Sequence, residues 1–322
     1  MKYLHVVERE GRYVSELRES DVPVPQGEEV LVRVAASGLN RADLSQIAGR
    51  YPPPLGESDI LGLEVSGTID GSDHRVCALL AGGGHAEYVA APQGQVFPAP
   101  PQLDLVAAAG IPEAFLTTFA NLVVEGGLAA GARVLIHAGA SGVGLAAIQV
   151  AKLLGAYVAA TTRTSEKLAA LTAAGADLAI HGAPRVVPEI EQQWGRDAVD
   201  IVLDPIGAAT LPGDLAVLAP GGRIICIATM GGRGPPLDLS LLMRKRARLI
   251  GSVLRARSRA EKAALVRRFC GEILPAFQTG ALRVMVDSVL PPTRAADAFQ
   301  RLRDNRNAGK VLIDWRGQPA PV

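Results

Sequence analysis

The sequence predicts an α/β protein in which a doubly wound parallel sheet accompanies a second, β-rich domain. Three observations carry this: a β-rich first hundred residues, strand–helix alternation from Arg133 onward, and a glycine-rich turn joining an apolar strand to a helix. With 322 residues, 48% of them hydrophobic, the chain is long enough for two domains with sizeable cores.

The elements follow in order. Val30–Val34, Glu64–Ile69 and Arg75–Leu80 are short β-branched or apolar runs that read as strands. Turn chemistry separates them: Pro23 and Pro25 before Gly27, Tyr51-Pro52-Pro53-Pro54, and Gly82-Gly83-Gly84. Pro98-Ala99-Pro100-Pro101 marks a boundary or a rigid crossing, because proline has no N–H for a ladder. Leu103–Ala109 and Glu113–Val124 have helical spacing, and Gly126-Gly127 ends the second. Strands are then expected at Val134–His137, Tyr157–Thr161, Leu178–Ile180, Val199–Leu203 and Arg223–Ala228. Helical patterns such as Gly142–Leu154 and Ser165–Ala174 lie between them. Arg259–Leu274 and Thr293–Arg303 read as helices, and Lys310–Ile313 as a closing strand.

Composition narrows the function classes. Lys and Arg total 33 against 32 Asp and Glu, without the basic excess that phosphate-backbone binding needs. Three scattered cysteines, Cys77, Cys226 and Cys270, make neither a disulfide framework nor a four-cysteine zinc site, so a reducing, cytoplasmic setting is expected. No apolar run is expected to approach the roughly 20 residues of a membrane helix, and the charged start MKYLHVVEREGRYV is unlike a signal peptide.

The strongest local signal is Val134-Leu-Ile-His-Ala-Gly139-Ala-Ser141-Gly142-Val143-Gly144, leading into LAAIQVAKLLGA. A helix amino terminus presents unpaired N–H groups and partial positive charge, which suit a pyrophosphate. Gly139 is expected to allow the tight turn and Gly144 the close packing of helix on strand. Ser141 stands where a second glycine is usual, so Gly142 is expected to give the close approach. The alternative is an ordinary tight strand–helix turn. About 20 residues on, a cofactor of the NAD type usually meets an acid. Here Thr161-Thr162-Arg163-Thr164-Ser165-Glu166-Lys167 offers Arg163 and Lys167 for a 2′-phosphate, so NADPH is expected over NADH. The competing reading is a solvated first helical turn with an exposed Lys167.

Further motifs extend this reading: Leu39-Asn-Arg-Ala-Asp43, Tyr51-Pro-Pro-Pro54, Ile60-Leu-Gly-Leu-Glu64-Val-Ser-Gly67, Gly84-His-Ala-Glu87-Tyr88-Val, Ile111-Pro-Glu-Ala-Phe-Leu-Thr117 and Asn307-Ala-Gly-Lys310-Val. Together with the glycine turn, and in this order, they resemble the medium-chain dehydrogenase/reductase superfamily. Within it the chain is similar to the zinc-free quinone oxidoreductase branch, of the tumour-suppressor-inducible type. The resemblance implies a GroES-like, partly barrelled β domain built from both chain ends, with a Rossmann domain inserted. The segments expected are 1–118 (GroES-like), 119–256 (Rossmann) and 257–322 (return to the first). It also implies a homodimer joined through Rossmann edge strands.

Zinc members carry a catalytic cysteine in a Ser-Gly-x-Cys context and a histidine before the glutamate. This chain has Ser37-Gly38-Leu39-Asn40, and Leu63 before Glu64, so no zinc of the usual kind is expected. Reduction of an electron-poor quinone needs less help than alcohol oxidation, with hydrogen bonds steadying the developing oxyanion. Asn40 is implied to face the nicotinamide end, hydrogen-bonding ribose or substrate; capping a helix is the competing role. Tyr51 either donates to the acceptor's oxygen or stacks on its ring, against simple packing in a stiff loop. Thr117 is implied as a cofactor contact, against a helix threonine bonding its own backbone. Met230, Ser252 and Leu254 are expected to offer contacts to the cofactor, and Asn307 and Lys310 join that set. Glu64 reads as structural, His137 as a packed strand-end residue and His85 as a turn residue. The basic stretch Arg244, Lys245, Arg246, Arg248, Arg255, Arg257, Arg259, Arg267 and Arg268 reads as a solvated face or as steering charge for anions.

The expected function is an NADPH-dependent quinone oxidoreductase acting on small quinones, with solvent supplying the proton. Reduction of an enone, 2-alkenal or enoyl thioester is the enzymatic alternative. A crystallin-like or regulatory NADPH-binding protein is the other.

Overall fold

A computed structural model describes residues 1–234 and 237–317; residues 235–236 and 318–322, the latter closing the 257–322 segment, lie outside the described residues. In chain order the strands and helices are β1 (Lys2–Arg9), β2 (Arg12–Glu19), β3 (Glu29–Gly38), α1 (Arg41–Ile47), β4 (Glu64–Ile69), β5 (Arg75–Leu79), β6 (Tyr88–Pro92) and β7 (Val96–Pro98). The helices α2 (Leu105–Ala108) and α3 (Pro112–Thr118) come next, the latter running into a π-helical turn over Phe119–Glu125. Then follow β8 (Arg133–Ile136), α4 (Gly142–Leu153), β9 (Tyr157–Thr162), α5 (Leu168–Ala173), β10 (Leu178–His181), α6 (Val186–Trp194), β11 (Val199–Asp204), α7 (Leu211–Val217), β12 (Leu218–Cys226), α8 (Leu239–Lys245) and β13 (Arg248–Gly251). The chain closes with α9 (Arg259–Glu272), α10 (Pro275–Gln278), β14 (Val286–Leu290), α11 (Ala295–Arg303) and β15 (Lys310–Asp314).

The chain divides into two compact units, Met1–Leu116 together with Leu254 onward, and Thr117–Val253. In the second unit a six-stranded sheet has the order β10-β9-β8-β11-β12-β13, and every neighbouring pair is parallel. Counted within the unit this is 3-2-1-4-5-6, the doubly wound Rossmann order, whose strand order reverses between β8 and β11. The central strands β8, β9 and β11 are runs rich in Val, Ile, Leu and Ala that are largely buried, as the middle of a parallel sheet requires, whereas the edge strand β13 is mostly exposed. One core, including Leu135, Ala159, Ile180, Val202, Leu215 and Ile224, fills one side.

The first unit holds a seven-stranded mixed sheet, with the path β14-β15-β3-β4-β5-β7 and β6 on β3, beside the antiparallel pair β1–β2. Among the described residues of this unit only β14 and β15 pair in parallel. A register shift between Val34 and Ala36 bends β3, so its two ends bond different neighbours. The core joins both chain ends: Val32, Val65 and Val76 pack with Phe299, Val311, Ile313 and Trp315. This is the GroES-like domain.

Three local expectations change. The Ser165–Ala174 helix is a 3-10 turn, Ser165–Lys167, followed by α5. β12 begins five residues before Arg223, because Pro220-Gly221-Gly222 is carried as an irregularity of the strand rather than a turn before it. Leu105–Glu125 is long and apolar enough to cross a membrane, against the expectation that no run is. Its apolar window is 83% buried within the protein, as a core helix is.

Candidate functional site

In the Rossmann unit the glycine turn grows out of β8 at the point where the strand order reverses. The left-handed residue of the turn is Ala138 (φ 51°), not a glycine. Gly139 is therefore needed for space rather than for its backbone angle. A Cβ there would stand 3.0 Å from the Ala160 Cβ and 3.2 Å from Leu171 Cγ, while its N–H donates to the Thr161 carbonyl at 2.7 Å. A Cβ on Gly144 would lie 2.5 Å from the Ala138 carbonyl oxygen and 2.6 Å from Gly139 Cα, so α4 packs this closely only with glycine. Ser141 is the helix N-cap: its Oγ accepts the Gly144 N–H at 3.0 Å and its carbonyl the Leu145 N–H at 2.9 Å. A glycine there would lose the hydroxyl cap. The amides of Gly142 and Val143, first in the helix, are the ones an outside anion can take. The cradle fits a pyrophosphate.

Arg163 is exposed one residue beyond β9, and its carbonyl pairs with His181 Nε2 at 3.1 Å. Thr164 lies beside it, its N–H donating to Thr162 Oγ1 at 3.3 Å. Lys167 is buried, so it is not the solvated lysine of a surface helix. Met230 is half-exposed after β12 and donates its N–H to the Pro205 carbonyl at 3.2 Å. Ser252 is buried just after β13, its N–H on the Cys226 carbonyl at 3.0 Å. The Thr117 carbonyl accepts from Asn121 Nδ2 at 2.7 Å. Gly139 to Gly144, Arg163, Met230 and Ser252 thus all follow carboxyl ends of parallel strands, the end where open α/β sheets bind ligands.

Behind the turn lies a buried network absent from the sequence reading. His137 pairs with Asp214 at 2.6 Å and with Thr161 Oγ1 at 3.0 Å. Asp204 accepts from the Ile206 N–H at 2.6 Å, the Gly207 N–H and Thr210 Oγ1. Burial lowers the His137 imidazole pKa, but the Asp214 charge and hydrogen bond outweigh this and leave it raised. His137 is packed as expected, with a carboxylate as partner.

In the GroES-like unit the site is made of side chains distant in sequence. Glu64 is fully buried at the start of β4. Its Oε1 accepts from Asn40 Nδ2 at 2.9 Å and from Lys310 Nζ, and its Oε2 from the Glu113 N–H at 2.8 Å. Lys310 Nζ also donates to Asn40 Oδ1 and to the Leu39 carbonyl, each at 2.9 Å. An ammonium has three protons, and these three acceptors take them. The expectation that Lys310 contacts the cofactor is corrected: Lys310 secures Asn40 and neutralises Glu64. A Cβ on Gly38 would run into the Glu64 carboxylate, which explains the glycine two residues before Asn40. Asn40 stands at the N-cap of α1, and its backbone N–H donates to Asp43 Oδ2 at 2.7 Å. Its amide donates to Gly38 and Glu64, and its Oδ1 accepts from Lys310. Asn307 shapes the turn into β15, Nδ2 donating to the Gly309 carbonyl at 2.8 Å. Leu254 is buried where the chain re-enters this unit.

Tyr51 is partly buried, and burial pushes its phenol up to about 12, with the Glu113 charge adding and Arg255 opposing. Burial and then the Glu64 charge push the Glu113 carboxyl up to about 8. Sequence reasoning missed Glu113, although an acid in the first turn of a helix was visible after Pro112. It also read the whole basic stretch as a solvated face or as steering charge. Lys245 and Arg255 are buried, Lys245 donating to the Ala216 and Leu218 carbonyls and pairing with Asp197. Arg244, Arg246, Arg248, Arg267 and Arg268 are exposed. His85, in a bend beside Gly84, is fully buried, its Nδ1 2.8 Å from Ser37 Oγ and its ring edge-on to Phe299.

Comparison with known proteins matches residues 26–101 to the alcohol dehydrogenase GroES-like domain and residues 142–269 to the family described as zinc-binding dehydrogenase. The quinone oxidoreductase of Lama guanicoe is 29% identical over 331 residues, covering 97% of each chain. The solved quinone oxidoreductase of Thermus thermophilus, also determined with NADPH, is 36% identical, with a TM-score of 0.84 and coverage of 98% of this chain and 100% of that one. A polyketide synthase protein of Streptomyces orinoci, NorB, is 33% identical over 309 residues, 92% of this chain and 13% of its own length. The zinc in the family description does not fit these residues. Asn40 is bonded to an ammonium and a carboxylate, and Leu63 is a buried apolar side chain.

Proposed function

The chain belongs to the medium-chain dehydrogenase/reductase superfamily, in its quinone oxidoreductase branch, and on that premise we propose that it is an NADPH-dependent, zinc-independent reductase of small quinones. The observation that carries the reading is end-to-end similarity to quinone oxidoreductases, 97% of both chains in one case and 36% identity in another. Bound NADPH supplies the hydride. The Gly139–Gly144 turn and the first amides of α4 hold the pyrophosphate, and Arg163, with Thr164, Ser165 and Lys167 beside it, takes the 2′-phosphate. Asn40, fixed by Lys310, is the residue that meets a ribose or substrate hydroxyl. Tyr51, with its phenol held at about 12, stays protonated through the neutral range and donates a hydrogen bond to the acceptor's oxygen. Solvent supplies the proton that completes the hydroquinone.

Oxidation of NADPH by a panel of quinones, 2-alkenals and enoyl thioesters, repeated with NADH, tests this. Turnover confined to quinones supports it; turnover confined to enals or thioesters replaces it with the second reading, which the likeness to a polyketide synthase segment favours. Tight NADPH binding with no turnover on any acceptor would leave a non-enzymatic binder. Tyr51→Phe is expected to lower kcat about tenfold while leaving the NADPH KM within twofold, corresponding to about 1.4 kcal/mol in the transition state.

A homodimer is part of the proposal. Leu239, Met243, Leu249 and Val253 expose 43–70% of their surface around α8 and the edge strand β13. A row of apolar side chains beside an unpaired edge suits pairing with a second copy. Sedimentation of the protein and of a Leu249→Lys variant tests it, a monomeric wild type ending the idea.

A further inference from the structure

Arg255 lies in the basic stretch, yet it is only 4% exposed. Its Nε donates to the Ala81 carbonyl at 2.7 Å, Nη1 to the Tyr51 carbonyl at 3.0 Å and Nη2 to Gln46 Oε1 at 2.8 Å. The guanidinium carbon also lies 5.2 Å from the centroid of the Tyr51 ring, within cation–π range. Gln46 completes the arrangement, because its Nε2 donates to the Asp59 carbonyl at 2.9 Å. Arg255 therefore reaches both ends of the loop 51–59, directly at Tyr51 and through Gln46 at Asp59.

The loop needs such an outside anchor. Pro52, Pro53 and Pro54 have no N–H to donate, so the stretch next to Tyr51 cannot secure itself through its own amides, while the Glu57 N–H bond to the Pro54 carbonyl at 3.1 Å ties the later part of the loop. Lysine would not replace arginine here, since the planar fork serves three acceptors at fixed angles and still faces the ring. The charged or titratable groups bearing on Tyr51 are Arg255 and Glu113, while Asp43, Glu113 and Glu57 bear on Arg255. Burial of the guanidinium is thus accompanied by hydrogen bonds and by carboxylates, as an interior charge requires.

We propose that Arg255 is the positioning residue for Tyr51, fixing the loop 51–59 and holding the phenol ring under its guanidinium in the orientation that meets the acceptor. The inference rests on the role given to Tyr51 above. It adds a residue outside the cofactor cradle whose loss acts on turnover only through Tyr51.

The test is a double-mutant cycle of Arg255→Met and Tyr51→Phe, read by kcat and KM, with hydrogen exchange over the loop 51–59 of the NADPH-bound enzyme. Arg255→Met is expected to lower kcat about tenfold, keep the NADPH KM within twofold, and speed exchange in the loop. In the Tyr51→Phe background the same substitution should leave kcat within twofold. An equal loss in both backgrounds would overturn the proposal, because it would show a general structural role. Unchanged turnover and exchange in Arg255→Met would overturn it as well. Should Tyr51→Phe by itself leave turnover intact, the Tyr51 reading fails, and loop exchange in Arg255→Met still decides the anchoring. If Arg255→Met does not fold, Arg255→Lys replaces it: a partial loss restored by millimolar guanidinium supports the fork, and wild-type turnover and exchange refute it.

Discussion

The two units build their candidate ligand surfaces in opposite ways. The Rossmann unit uses backbone: eight consecutive residues from His137 to Gly144, three of them glycines, with amides at a helix start. The GroES-like unit uses side chains: Asn40, Glu64 and Lys310 are joined by bonds that span 24, 246 and 270 residues. The first surface is backbone, with the Ser141 hydroxyl as its one side-chain cap in the turn. The second is held by a buried carboxylate and a buried ammonium whose remaining bonds go to Asn40, the Leu39 carbonyl and the Glu113 N–H. A local backbone device tolerates change elsewhere in the chain, whereas a long-range ionic one depends on both chain ends being in place.

Substitutions in the ionic device should have the largest effect. Lys310→Met leaves the fully buried Glu64 carboxylate uncompensated, so a loss of about 3–5 kcal/mol in urea-unfolding stability is expected. Adding Glu64→Gln should recover much of it; no recovery would mean that the pair is not what holds this surface. Gly144→Ala, driven into the Ala138 carbonyl, should cost about 1–3 kcal/mol and abolish NADPH binding in a fluorescence titration. Normal binding by that variant would remove the backbone cradle from the argument. Arg163→Ala should raise the NADPH KM about tenfold, roughly 1.4 kcal/mol, and leave the NADH KM within twofold. Equal changes for both cofactors would take the 2′-phosphate away from Arg163.

The comparison also carries a pH dependence. The Glu113 carboxyl is held up at about 8, by burial first and then by Glu64, against an ordinary value of about 4.3. Between those values the unfolded chain has lost the proton that the folded chain retains, so this group's contribution to stability falls as pH rises through the window. Glu113→Gln should therefore match wild type near pH 4, gain on it up to about pH 8, and hold a constant lead above. A lead independent of pH would show that Glu113 ionises normally.

Legibility in the sequence followed the same division. The glycine turn, the alternation of strand and helix, and the Arg163 position were readable because each depends on neighbours within about 30 residues. Even there Gly139 was read for its backbone angle, while Ala138 takes the left-handed conformation and Gly139 is held to its size by Ala160 and Leu171. Lys310 was assigned to the cofactor because a motif names a residue type without naming its partner. Arg255 and Lys245 were hidden in a run of basic residues, since alternating exposure along a segment is set by what packs on it.

The sequence by itself determined the doubly wound sheet, the family and the place of the nucleotide turn, because hydrophobic period and glycine spacing are local properties of the chain. The tertiary structure decided which cations are spent inside the protein, which carboxyl keeps its proton, and what holds Tyr51. Those outcomes depend on desolvation and on partners as far as 271 residues away, and burial is a property of the packed chain alone.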